Sequence, residues 1–196
     1  MQRLVLVGAL LAGACGATDD RPRTLAYITE TILAPSCASA ECHSAFRRQV
    51  GDQFDTVDAT RVSIVANGLV TLPDDVANPS GSILIQTLTV GSTSVLDPKS
   101  GKVRMPYDAP MPDADVELIR DWIAQGAHGA QCLANEQGRG CATDRVPDPA
   151  NPGRNKTVFR VVQCSPDGDV GATVMVCPGA QFCSISSGNG QCIGQP

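Results

Sequence analysis

Cys37 and Cys42 lie five positions apart in "PSCASAECHSAF", and His43 follows the second at once. Two thiols and an imidazole this close together suit three kinds of chemistry. The thiols can add to the two vinyl groups of a haem while the adjacent histidine reaches the iron from the same side. The usual spacing for that is C-x-x-C-H. Here it is C-x-x-x-x-C-H, so two extra residues must bulge out, and "ASAE", small apart from its glutamate, suits a bulge. The same cysteines can instead close a small disulfide loop that ends in a histidine. Thirdly, two cysteines and a histidine are three of the four ligands that a structural zinc ion takes. A fourth is not evident unless a downstream cysteine reaches back, and spacing alone leaves haem and disulfide open.

A haem iron that already has one histidine usually takes a methionine sulfur opposite, which raises the reduction potential. Met105 sits in "GKVRMPYDAP", a proline-stiffened loop downstream of His43, and Met111, also followed by proline, is the runner-up. The plain reading of either is gap-filling in a core. His128 in "GAHGA" is the one other histidine and is expected to be solvent-exposed beyond a helix stop. Asp74 and Asp75 fall in a polar loop and are expected to solvate a surface rather than bind a metal. With two histidines, no G-x-S-x-G and no H-E-x-x-H, the sequence predicts no enzyme.

These side chains must be positioned by a small set of elements. In "TLAYITETIL", Leu25, Ile28 and Ile32 recur at helical spacing, with Thr24 as N-cap and Pro35 expected to stop the helix just before Cys37. "VSIVANGLV" and "GSILIQTLTV" are apolar runs that read equally as short helices or strands, and "DPKSGKVRMPYDAPMP" reads as extended loop. "DADVELIRDWIAQGA" is the clearest helix. Asp113 is expected to cap it, Val116, Ile119 and Ile123 form one stripe, Leu118 and Trp122 an adjacent one, and Gly126 is the stop. Trp122 is expected in the core. Beyond residue 130 the pattern changes: "DRVPDPANPGRNK" reads as a linker, followed by two β-hairpins over "TVFRVVQC…TVMVC" and "QFCSIS…QCI".

Cysteine arithmetic and the N-terminus point to export. "MQRLVLVGALLAGAC" has a basic start, a short apolar run and small residues, a secretory signal too short to span a bilayer. Ending at Cys15, it also resembles the bacterial lipobox, which predicts acylation of Cys15 and a membrane anchor. Gly16 rather than Asp after it favours the outer membrane. Nine cysteines leave one over, and acylation accounts for it. The six at Cys132, Cys141, Cys164, Cys177, Cys183 and Cys192 are expected to form three disulfides in an oxidising compartment, with fifteen pairings open. A formal net charge of −5 argues against a nucleic-acid binder, which needs a basic face.

Four pieces in order resemble the small bacterial cytochrome c-like domains found in exported lipoproteins, including the planctomycete-type group. They are the apolar helix into "ILAPSCASAECHS", then "NPSGSILIQTL", "GKVRMP" and the closing helix "DADVELIRDWIAQGA", together covering roughly residues 24–130. The resemblance implies haem c bound by thioethers at Cys37 and Cys42, with His43 and Met105 as axial ligands of the iron and Met111 as runner-up to Met105. The long gap between the cysteines departs from the common pattern. The expected organisation is a signal over 1–14, a lipid-anchored tether over 15–23, a cytochrome c-like domain over 24–130 and a cysteine-rich module over 131–196. The expected fold is mainly α with a small disulfide-rich β appendage. The expected function is single-electron transfer to a redox partner protein in the cell envelope. The alternative is a haem-free structural or binding lipoprotein with a Cys37–Cys42 disulfide and the cysteine-rich tail as its working part.

Overall fold

A computed structural model describes residues 19–89, 104–106, 109–179, 181–185 and 190–194. The signal over 1–14, Cys15 and residues 16–18 of the tether lie outside the described residues. Thr24 is extended and its hydroxyl accepts the Tyr27 N–H, which starts helix α1 at Leu25–Ile28. Pro35 does not stop this helix. A wide π turn, Thr29–Leu33, intervenes, and the Ala34 N–H donates to Thr29 O, five residues back. The ladder is thus already loosened where proline brings no donor and a ring that would press on the preceding turn. The chain continues as α2, Ala34–Cys37, and Cys37 lands on its last turn.

Of the two ambiguous apolar runs, the first is helical as far as Ala66 and the second from Ile83 to Thr89. Helix α3 is Val57–Ala66, capped by the Thr56 hydroxyl on the Ala59 N–H, and α5 is Ile83–Thr89; the short α4, Asp74–Ala77, lies between them. Helix α6 is Asp113–Ala124, with Pro112 rather than Asp113 at the N-cap, so Asp113 and Asp115 act on the positive end of the helix instead. Ile28, Leu33, Ile64, Ile85, Leu118, Ile119, Trp122 and Ile123 are fully buried and form the core of this half. The Trp122 Nε1–H donates to His128 O at 2.9 Å, so the one polar atom of the largest core side chain is satisfied.

The second half is a β module. Strands β1 (Arg139–Pro147), β2 (Asn155–Cys164) and β3 (Val170–Val176) form an antiparallel sheet in that order, and β4 (Phe182–Ser184) pairs with β5 (Gln191–Ile193). The two expected hairpins are present. The expected linker is instead the end of β1, a turn, and the start of β2, with Pro147 opposite Asn155. The disulfides are Cys132–Cys164, Cys141–Cys183 and Cys177–Cys192.

This corrects the expected mainly α class. Of the described residues 34% are helical and 22% are in strands, with helices first and strands last along the chain: an α+β arrangement. The missing strand is polar and half-buried on both faces, so it has no alternation to read. Its order comes from pairing with β2 and from the bond between Cys141 and Cys183.

The sheet is fastened to the helices by few but well-placed bonds. Arg61 of α3 donates to Gly129 O at 2.7 Å and to Asp167 O at 2.9 Å. Thr143 Oγ1 donates to Leu72 O at 2.9 Å, and Arg145 pairs with Asp74 at 2.7 Å. Gly168 is required here: at φ +91°, a Cβ would come within 2.2 Å of Arg61 Nε. No helix of the described residues is long and apolar enough to cross a membrane.

Candidate functional site

The cysteine–histidine segment is folded back on the end of α2 by backbone bonds. The Cys42 N–H donates to Ser39 O at 3.0 Å, and the His43 N–H to Cys37 O at 3.1 Å. The Phe54 N–H then donates to His43 O at 2.8 Å, so His43 is held from both sides. Its ring lies 5.3 Å from that of Phe54, tilted by 59°. The side chain is buried, and Nδ1 finds no hydrogen-bond partner among the described residues.

His43 lines an apolar cavity of about 290 Å³. Leu33, Leu69, Leu84 and Leu88 make most of the wall, and Cys37 and Met105 complete it with His43. Met105 is anchored there by its own N–H, which donates to Thr87 O on α5 at 3.1 Å. Three of the four residues singled out for the haem site therefore face one cavity, although α3 to α5 separate the methionine from the others along the chain. Cys42 is partly exposed and is not part of the wall; both it and Cys37 are free thiols. Burial, with the Cys42 thiol beside it adding, pushes the Cys37 thiol up to about 12, so it is a protonated thiol at neutral pH.

The other candidates fall elsewhere. Met111 is buried in the helical core and does not line the cavity. His128 is exposed, with Nδ1 3.4 Å from the Asp169 carboxylate. The Arg145 guanidinium holds the Asp74 carboxyl below the usual carboxylate range, and Asp75 accepts the Thr71 N–H at 2.6 Å. Cys132, Cys141, Cys164, Cys177, Cys183 and Cys192 are all in disulfides, so none is left to complete a zinc site at Cys37, Cys42 and His43. Among the described residues no group of three or more His, Cys, Asp or Glu converges as a metal cage.

Sequence reasoning missed the polar part of the wall and its rim. Asp52 and Asn67 line the cavity, with Asn67 Nδ2 donating to Asp52 Oδ1 at 2.7 Å. Val50 stands at the mouth, 86% exposed and with φ +52°, a left-handed conformation that strains a β-branched residue. The same loop is pinned by Asp55, which accepts from the Ala45 N–H at 2.9 Å and from the Gln53 amide. No periodicity marks these loop residues, so nothing in the chain's pattern points to them.

No family model, curated protein or solved structure matches this chain. The chemistry of the site therefore rests on its donor set. An imidazole and a thioether for the iron, and a thiol for the porphyrin edge, around an apolar space are the groups that c-type haem sites use. The residues present fit that group, with Cys42 the one that stands off the wall.

Proposed function

We propose that this chain is a monohaem c-type electron carrier, exported and held at the membrane by a lipid on Cys15, with the outer membrane favoured by Gly16. The observation that carries the reading is the convergence of Cys37, His43 and Met105 on one apolar cavity. Bound haem c would supply a one-electron iron couple. Cys37 and Cys42 would hold it by thioethers, and Cys42 has to turn inward from the 39–42 turn to do so. His43 and Met105 would hold its iron, a pair of protein ligands that suits a carrier rather than an enzyme. The leucine walls, with a methionine ligand, would favour a raised potential. The partner is a redox protein of the envelope.

One observation counts against the haem reading: Cys42 stands off the cavity wall, although it and Cys37 are free thiols rather than the disulfide of the haem-free alternative. A pyridine haemochrome spectrum of denatured protein, produced in a host with c-type maturation machinery, separates the two. Haem that stays with the chain, and is lost in Cys37→Ala/Cys42→Ala, is the expected result. No haem, with Cys37 and Cys42 recovered in one disulfide-linked peptide, would sink the carrier reading.

A further inference from the structure

Among the described lining residues of the cavity Asp52 is the one carboxylate. It is 7% exposed and follows the 3-10 turn Gln49–Gly51, whose Gln49 O accepts its N–H at 3.1 Å. Its side chain accepts from the neutral amide of Asn67 at the C-cap of α3. A carboxylate buried in an apolar wall with one amide for company is costly unless positive charge faces it. The other ionisable groups in the wall are His43 and the Cys37 thiol, and Arg104 is buried beside Met105.

We propose that Asp52 is the residue that sets the reduction potential of the site, by favouring the more positive, oxidised iron. The inference rests on the haem reading above. It gives Asp52 a role opposed to that of Met105: the thioether and apolar walls raise the potential and the buried carboxylate holds it down. At an effective dielectric of about 20, one charge placed on the order of 10 Å from an iron would shift the oxidised-to-reduced ratio by roughly tenfold at fixed poise. For a one-electron couple that is about 59 mV.

The competing explanation is that Asp52 merely ties its loop to α3. Asp52→Asn separates the two, because an asparagine oxygen still accepts from Asn67 while the charge is gone. Asn67→Ala does the reverse. The measurement is a spectroelectrochemical titration of the full-length holoprotein and its Asp52→Asn, Asp52→Glu and Asn67→Ala variants, after the haemochrome has confirmed equal haem content. The expected result is a midpoint raised by about one tenfold step in Asp52→Asn, near wild type in Asp52→Glu, with unchanged iron–sulfur ligation in both. Asn67→Ala is expected to shift less than Asp52→Asn. Should Asp52→Asn yield no holoprotein, Asp52→Ser, smaller and also uncharged, is read in the same way. Covalent haem with an unmoved midpoint in the uncharged variant overturns this proposal alone. A wild-type protein without covalent haem overturns the reading beneath it as well.

Discussion

Replacing His43 by leucine should make the haem-free protein slightly more stable while abolishing the proposed holoprotein. His43 is 6% exposed and its Nδ1 has no partner among the described residues. A buried polar atom left unpaired costs about 1–3 kcal/mol. Leucine, of similar volume, removes that cost. It also removes the ring contact with Phe54 at 5.3 Å, which is worth about 0.5–1.5 kcal/mol. The backbone bonds to Cys37 and Phe54 do not involve the side chain. The balance favours the variant by about 1 kcal/mol, or roughly 2–4 °C in melting temperature for a chain of this size. The assay is a thermal melt at pH 8 of full-length chain exported without maturation machinery, with Cys15→Ser in both samples and all three disulfides verified. The same substitution in a maturing host should give protein that has lost the six-coordinate haem spectrum. A haem-free leucine variant less stable by more than about 1 kcal/mol would mean that the imidazole is a satisfied structural group. His43 would then be holding the fold through contacts beyond its unpaired Nδ1.

Met105→Leu should abolish the iron–sulfur charge-transfer band and lower the midpoint potential of the holoprotein, whereas Met111→Leu leaves both unchanged; each should cost less than about 1.5 kcal/mol in the haem-free chain because volume is conserved. Arg61→Ala removes charge-assisted bonds to Gly129 and Asp167 carbonyls, and a loss of about 3 kcal/mol in urea unfolding is expected; a loss under about 0.5 kcal/mol would show that the sheet is held on otherwise. With its thiol pushed up to about 12, Cys37 should resist iodoacetamide at pH 8 in the haem-free protein while Cys42 is alkylated, and equal labelling would contradict its burial. Asp55 is held below the usual carboxylate range by hydrogen bonds from the Gln53 side chain and the Ala45 N–H. A depressed folded pKa stabilises the loop above the unfolded value and loses that effect as pH falls through the folded one. The Ala45 amide resonance should therefore hold steady from about pH 5 to 8 and move only below about pH 4, and Asp55→Asn should remove the transition.

Local pattern carried much of the helical half. Thr24, the Leu25–Ile28–Ile32 stripe, and the Val116–Ile119–Ile123 and Leu118–Trp122 faces are periodic, and a period of 3.6 is visible without any neighbour. Pro35 misled because proline is a local breaker, whereas the π turn before it is a compromise made with the core on which Ile32 and Leu33 pack. In the second half β1 was invisible, since "RGCATDRVP" earns its extended form from β2 and a disulfide rather than from its own alternation.

The chain by itself determined which residue types were available for chemistry: Cys37, Cys42 and His43 at their spacing, a methionine in a stiff loop, and six cysteines set apart in the tail. These are facts of composition and order. The tertiary structure decided that Met105 rather than Met111 faces His43's cavity, that Cys42 stands off its wall, that Asp52 is buried in it, and which cysteines pair. Each of these depends on distances between residues far apart along the chain, and such distances are set by how helices and strands pack, which no local period encodes.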